Sequence, residues 1–323
     1  MSAPASARTA VPVPRLPSPV ASREPAVVHR HGGLPRALLR TSRPRQWIKN
    51  LLIFAAPAAA GALFAPGTAI AAGVAFLAFT AAAVATYFVN DAADADTDRR
   101  HPVKWRRPVA AGLIGRRTAV LIGLTTATMS VGLATAVNWP FTACLVGYLA
   151  LTGAYSAGLK HIAVLDVLVV AGGFLLRTAG GAAATGVTVS SWFMLLTLFG
   201  SLFLVTAKRI GEQNRAQPDG DTTAKRRVLS GYSAAWLQQT LTMALTGTVL
   251  AYAAWAFQYL GHDVALPLLA VSLVPFLAAL MRYSLLVARG DGERPEDLLV
   301  SDRFLLVAGL LWAGTAGAAI YLA

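Results

Sequence analysis

Nine apolar segments of near-constant length, separated by polar joints of which only every second one carries cations, decide what this chain can fold into. They run over residues 47–64, 68–89, 118–137, 141–157, 162–183, 190–207, 236–257, 265–287 and 303–322. Each is close to the ~20 residues that an α-helix needs to cross a bilayer. A helix also satisfies its own backbone hydrogen bonds, as lipid demands. The segments predict an all-α fold, a polytopic membrane bundle of nine transmembrane helices. Asn138, Trp139 and Pro140 leave little room for a turn before the fourth span, and Pro57 is expected to bend the first. Composition agrees, with 56% hydrophobic and 13% charged residues and a mean hydropathy of +0.57, values foreign to a soluble domain.

Lysine and arginine concentrate on the cytoplasmic side of membrane proteins. Of the 28 here, nine lie between Arg8 and Lys49, seven between Arg99 and Arg117, six from Lys208 to Arg227 and four from Arg282 to Arg303. Lys160 and Arg177 complete the set, and the alternate joints near 65–67, 138–140, 184–189 and 258–264 hold none. This pattern places the protein in the plasma membrane with a cytoplasmic amino terminus, an outer carboxyl terminus and its polar chemistry on the cytoplasmic face. It also accounts for the net charge of +13 without nucleic acid, for which no motif is present. Residues 1–40, rich in Ala, Pro, Ser and Arg, predict a disordered basic cytoplasmic tail that either attracts anionic lipid or is simply solvated. No apolar stretch follows its first arginines, so it does not read as a signal peptide. Residues 41–323 form the transmembrane domain. The lone Cys144 reads as a small buried apolar residue and excludes an intrachain disulfide framework.

The densest chemistry is NDAADADTD at 90–98. At ~100° per residue, Asn90, Asp91, Asp94 and Asp98 share about one quadrant of a helix, whereas Asp96 points the other way. Carboxylates this close repel unless a cation lies among them, and hard oxygens suit Mg²⁺, which binds a few carboxylates together with phosphate oxygens. The stretch reads as a Mg²⁺-diphosphate site with Asp91, Asp94 and Asp98 as ligands; the alternative is a solvated acidic helix end. Lys104 and Arg107 follow at once in RRHPVKWRRP, cations of the sort that hold the rest of a polyanion. Ordinary positive-inside charge explains these cations but not the carboxylates.

Other candidates lie at the same face. In RPRQWIKN, Arg45 and Lys49, and Gln46 and Asn50, are four apart and so neighbours on an α-helix. Lys49 is a phosphate contact or a snorkelling lysine. YSAGLKH puts Tyr155, Ser156 and Lys160 on a short turn, and AKRIGEQ offers Lys208 and Arg209 for a second anion, or as plain helix-end cations. Within the fifth span, Asp166, Gly173 and Arg177 share a face. An intramembrane charge costs about 2.5–3.5 kcal/mol even on a lenient scale, so Arg177 must face a polar cavity or a partner. It either touches substrate or braces the bundle. Gly172, Gly173, Gly180 and Gly181 read as close helix packing. The five histidines show no ligand spacing.

The motif N-D-x-x-D-x-x-x-D on such a bundle resembles the first aspartate-rich motif of the UbiA superfamily of intramembrane prenyltransferases. A second acidic cluster is usual in that superfamily after the sixth span, and here Lys208, Arg209 and Glu212 stand in its place. RPRQWIKN, the 90–112 stretch, YSAGLKH, LLRTAGG, AKRIGE and PEDLLVSDR are together similar to an actinobacterial branch that acts on polyprenyl phosphates. The resemblance implies transfer of 5-phosphoribosyl from phosphoribosyl pyrophosphate to decaprenyl phosphate, releasing pyrophosphate, on the way to decaprenyl-phosphoryl-arabinose and cell-wall arabinan. It implies Mg²⁺ on Asp91, Asp94 and Asp98. It also implies that Lys49, Asn90, Lys104, Arg107, Tyr155, Lys160, Arg177, Lys208 and Arg209 are the candidates for holding the two substrates. An aromatic prenyltransferase would need the second acidic cluster, and a transporter would spread charge along the midplane. Chain length of the lipid and a homo-oligomer are left open.

Overall fold

The computed structural model describes residues 33–215, 227–258, 265–290, 298 and 301–322, and every regular element among them is helical. The expected tail falls outside the described residues up to 32. Its last part is instead the short helix α1, Leu34–Ser42, with Pro35 in its first turn and Ala37 and Thr41 buried. Arg43 then adopts positive φ (50°), and a 3₁₀ segment, Pro44–Phe54, leads into α2, Ala55–Ala59. After that come α3 (Pro66–Ala93), α4 (Ala95–Arg100), α5 (Arg116–Val137), α6 (Trp139–Ala157) and α7 (Leu165–Thr185). The remainder is α8 (Ser191–Arg215), α9 (Ala234–Phe257), α10 (Ala265–Ala288) and α11 (Arg303–Tyr321).

Seven helices among the described residues are long and apolar enough to cross a membrane: α3, α5, α7, α8, α9, α10 and α11. Two of the nine expected spans are not among these seven. The first, 47–64, is broken into the 3₁₀ segment and the five-residue α2, with Pro44 opening the one and Pro57 inside the other. In a 3₁₀ segment residues three apart eclipse, so Asn50 and Ile53 bury together against α3 and α7, and Lys49 Nζ donates to Gln46, three residues before it, where the α-helical spacing made Arg45 its neighbour. The other exception is α6, a 19-residue helix whose Thr142, Tyr148, Thr152, Tyr155 and Ser156 dilute its apolar surface. It follows α5 through Asn138 alone, in extended conformation (φ −171°). The Asn138 side chain accepts from Phe141 N at 2.8 Å and donates to the Ala183 carbonyl at 2.8 Å, which caps α6 and ties it to α7.

Helix α7 is the hub: it packs on α3, α6, α8, α2 and the 3₁₀ segment. Half of its apolar window is buried, against 17% for α5, whose Leu121, Leu124 and Met129 are exposed as a lipid-facing helix requires. Close approach at α7 depends on Gly181, where a Cβ would stand 2.0 Å from the Ile53 carbonyl oxygen. One aromatic cluster, Phe79 with Phe141 and Tyr148 at 5.9 and 5.3 Å, fills the space between α3 and α6. A second, Tyr252 with Phe276 and Trp312, joins α9, α10 and α11.

Asp302 fastens the last pair of helices. It caps α11 by accepting from Leu305 N at 2.9 Å, and Arg282 on α10 donates to it at 2.7 Å. The Arg282 hydrogen bond, then the Leu305 N–H, hold the Asp302 carboxyl below its usual value. A depressed folded pKa contributes stability above the unfolded value of about 3.9 that is lost as pH falls through the folded one. The gap in melting midpoint between the wild type and Asp302→Asn, present at pH 7, therefore closes below about pH 4; a gap independent of pH would assign the effect to capping alone.

Candidate active site

Helix α3 ends in the acidic motif because Asp94 leaves helical geometry (φ −87°, ψ 1°) before α4 resumes. The hydrogen bonds Asp94 N to Asn90 O at 2.9 Å and Asp98 N to Asp94 O at 2.8 Å carry the helical register across this kink. As the period predicts, Asp91 and Asp98 lie inward, at 2% and 3% exposure, and Asp96 faces out to Arg99 and Arg116. Asn90 is half-buried beside them.

Two buried carboxylates cost several kcal/mol each unless cations answer them. Arg107 Nη1 donates to Asp98 Oδ2 at 2.7 Å and reaches Asp91 Oδ1 at 3.4 Å. Arg43 donates to the same Asp91 oxygen and lies with its guanidinium 4.9 Å from the centre of the Tyr87 ring. Asp94 turns elsewhere, with Lys160 Nζ 3.7 Å from its Oδ1. Of the residues expected to share one helix face, Asp91 and Asp98 lie inward together, while Asp94, at the kink, turns to Lys160. Among the described residues no group of three such side chains is placed to hold a metal, because the kink and the arginines divide them. The donor chemistry still fits Mg²⁺. Asp91 Oδ2 and Asp98 Oδ1 make no hydrogen bond among the described residues, and Mg²⁺ takes one or two carboxylates while a substrate phosphate supplies further oxygens.

A second cluster joins α6, α7 and α8. Arg209 forks onto the fully buried Asp166, Nε to Oδ2 at 2.8 Å and Nη2 to Oδ1 at 3.0 Å, and donates to Glu212 at 2.7 Å. Tyr155 donates to Asp166 Oδ1 at 2.8 Å. The expected pairing of Lys208 and Arg209 on an anion is corrected for Arg209, which is only 3% exposed and committed to two carboxylates. Lys208 and Lys104 are half-buried.

Arg177 forms the third cluster. It donates to Asn50 Oδ1 at 2.7 Å, the Gly173 carbonyl at 2.8 Å and Tyr148 Oη at 3.0 Å, and Asn50 donates on to Thr80. Tyr148 and Phe174 rings lie 4.6 and 5.5 Å from its guanidinium carbon. Asp166, expected on the same face, pairs with Arg209 instead. Arg43, Asn50 and Asp166 are the site residues that sequence reasoning gave no role; Arg43, directly before Pro44, bore the one local signal, since a pre-proline residue marks a chain bend.

Comparison with known proteins accords with this arrangement. The chain is 38% identical over 294 residues to the decaprenyl-phosphate phosphoribosyltransferase of Corynebacterium glutamicum, covering 90% of this chain and 88% of that one. It is 37% identical to the protein of the same name from Mycobacterium tuberculosis, covering 92% and 98%. Its fold matches that of a UbiA homologue from Archaeoglobus fulgidus bound to DMAPP and Mg²⁺, with TM-score 0.66 and 21% identity over 88% of this chain and 99% of that one. Residues 51–317 match the UbiA prenyltransferase family, and with relatives this similar over nearly their whole length the chain belongs to that family.

Proposed function

We propose that this integral membrane enzyme transfers the 5-phosphoribosyl group of phosphoribosyl pyrophosphate to decaprenyl phosphate and releases pyrophosphate. One observation carries the assignment: 37–38% identity over about nine-tenths of the chain to relatives named for this transfer, together with an acidic motif whose carboxylates are interleaved with arginines and a lysine. In the reaction the bond from ribose C1 to the pyrophosphate oxygen breaks, and pyrophosphate leaves with the electron pair. A bond from C1 to an oxygen of the lipid phosphate forms. That nucleophile is anionic at neutral pH, so no strong general base is required, and catalysis rests on positioning and on electrostatic stabilisation of an oxocarbenium-like transition state.

Asp91, Asp94 and Asp98 would hold Mg²⁺, which when bound neutralises charge on the pyrophosphate as it departs. Arg107 and Arg43 orient the two buried carboxylates and are within reach of a polyanion laid over them. Lys160, at Asp94, and Asn90, Lys104, Lys49 and Lys208 are the further groups proposed for the 5-phosphate and the lipid phosphate. Tyr155 and Arg209 hold Asp166 and so fix the join of α6, α7 and α8, while Arg177 braces the 3₁₀ segment, α6 and α7. The site faces the cytoplasm with the amino terminus, the carboxyl terminus lies outside, and residues 41–323 form the catalytic domain. The product feeds arabinan synthesis for the cell wall.

The decisive experiment asks which bond breaks. Polyprenyl phosphate carrying ¹⁸O in its bridging carbon–oxygen position should yield a lipid product that keeps the label, with unlabelled pyrophosphate. Loss of label from the lipid, or turnover only with a prenyl diphosphate and an aromatic acceptor, overturns the assignment.

A further inference from the structure

The loop between α6 and α7 places Lys160 at Asp94, and it is built under strain. Its two ends are stapled, since Tyr155 near the end of α6 donates to Asp166 in the first turn of α7 at 2.8 Å. Between them lie Gly158, a 3₁₀ turn over Leu159–His161, and Val164 at φ 71°, ψ −53°. That conformation is a γ-turn, which strains any L residue and suits a β-branched one least. Val164 persists there with its N–H donated to Tyr232 Oη at 2.8 Å.

Tyr232 comes from a distant part of the chain, after the 3₁₀ turn Arg227–Gly231 and just before α9. It is itself well fixed. Its carbonyl accepts from Gln213 Nε2 at 3.1 Å, its ring stacks on Trp236 at 4.9 Å, and it is 5% exposed. Burial pushes the Tyr232 phenol up, so it stays protonated over the whole neutral range. Strained backbone held by one buried hydroxyl, four residues from a substrate-site lysine, is the pattern expected of a positioning device rather than of packing alone.

We infer that Tyr232 is a positioning residue for the donor: its hydroxyl catches the strained turn at Val164 and thereby keeps Lys160 against Asp94. The inference rests on the proposed function and assigns Lys160, which lies 3.7 Å from the proposed Mg²⁺ ligand Asp94, to the donor. Tyr232→Phe keeps the ring and its stacking but removes the catch, and the loop is then free to relax.

Hydrogen exchange and kinetics test it separately. In the purified full-length protein, Tyr232→Phe should speed exchange in the peptide over 158–166 by about tenfold, the size of one hydrogen bond. It should raise KM for phosphoribosyl pyrophosphate by about three- to tenfold, with kcat and the KM for decaprenyl phosphate nearly unchanged. Adding Val164→Gly, which adopts positive φ without strain, should bring the donor KM back to within about twofold of wild type. Unchanged exchange in Tyr232→Phe overturns the catch. Faster exchange with an unchanged donor KM overturns the positioning role, and equal loss of kcat and both affinities, unrescued by glycine, returns Tyr232 to a structural part. Absence of transfer by the wild type would sink the proposed function while leaving the exchange result to judge the catch.

Discussion

Asp91→Asn or Asp98→Asn is expected to lower kcat/KM about 10²- to 10³-fold, while Asp96→Asn stays within about twofold of wild type. Asn preserves the volume and one acceptor but deletes the charge. At Asp91 and Asp98, 2% and 3% exposed, that deletion removes the carboxylate partner of Arg43 or the nearer partner of Arg107, and one of the site's two buried anionic donors. Asp96 is 61% exposed and bridges only Arg99 and Arg116 on the surface, where an ion pair contributes about 0–1 kcal/mol. Donor-dependent turnover, measured on variants with wild-type melting and elution profiles, decides between them. Equal loss at all three positions would contradict the division of the motif into an inner and an outer face.

Gly181→Ala should be the most damaging single methyl in the bundle. The added carbon would stand 2.0, 2.7 and 2.9 Å from the carbonyl oxygen, carbonyl carbon and Cα of Ile53. All three are backbone atoms, so no side chain can rotate away, and α7 must part from the 3₁₀ segment that carries Asn50 and directly follows Arg43. Overpacking of this kind costs about 1–3 kcal/mol or more, and the melting midpoint in detergent should drop accordingly, with loss of turnover. Gly132 on α5 is the control: a Cβ there meets nothing within 4 Å, and alanine favours the helix by about 1 kcal/mol. Melting of Gly181→Ala within about 2 °C of wild type would mean that the segment does not lie where it does here.

Much of this was legible beforehand because hydropathy and helical period are local signals. Eight of the nine expected spans lie at single helices, and the inward Asp91 and Asp98 follow from spacing alone. The first segment misled because hydropathy registers apolar content and not hydrogen-bond pattern; Pro44 and Pro57 break what Leu51 to Ala56 would otherwise continue. Partners were out of reach for a different reason. Arg43 and Asp91 are 48 residues apart and Arg209 and Asp166 are 43 apart, so the first pairing exists only once α1 meets α3 and the second once α7 meets α8. Without them, Arg209 looks like an anion receptor and Arg43 like one more cytoplasmic cation.

The pairing of Arg43 and Arg107 with Asp91 and Asp98 makes the site its own salt. A cation arriving alone meets carboxylates already neutralised, and a polyanion arriving alone meets arginines already engaged. Arriving together, they would exchange partners: Arg43 and Arg107 would turn to phosphate oxygens, and Asp91 and Asp98 would hold the cation. Each ligand thus strengthens the binding of the other, and thermodynamic reciprocity requires the factor to be the same in both directions. In the proposed function, free magnesium would then set the affinity for the donor as directly as the donor concentration sets its occupancy.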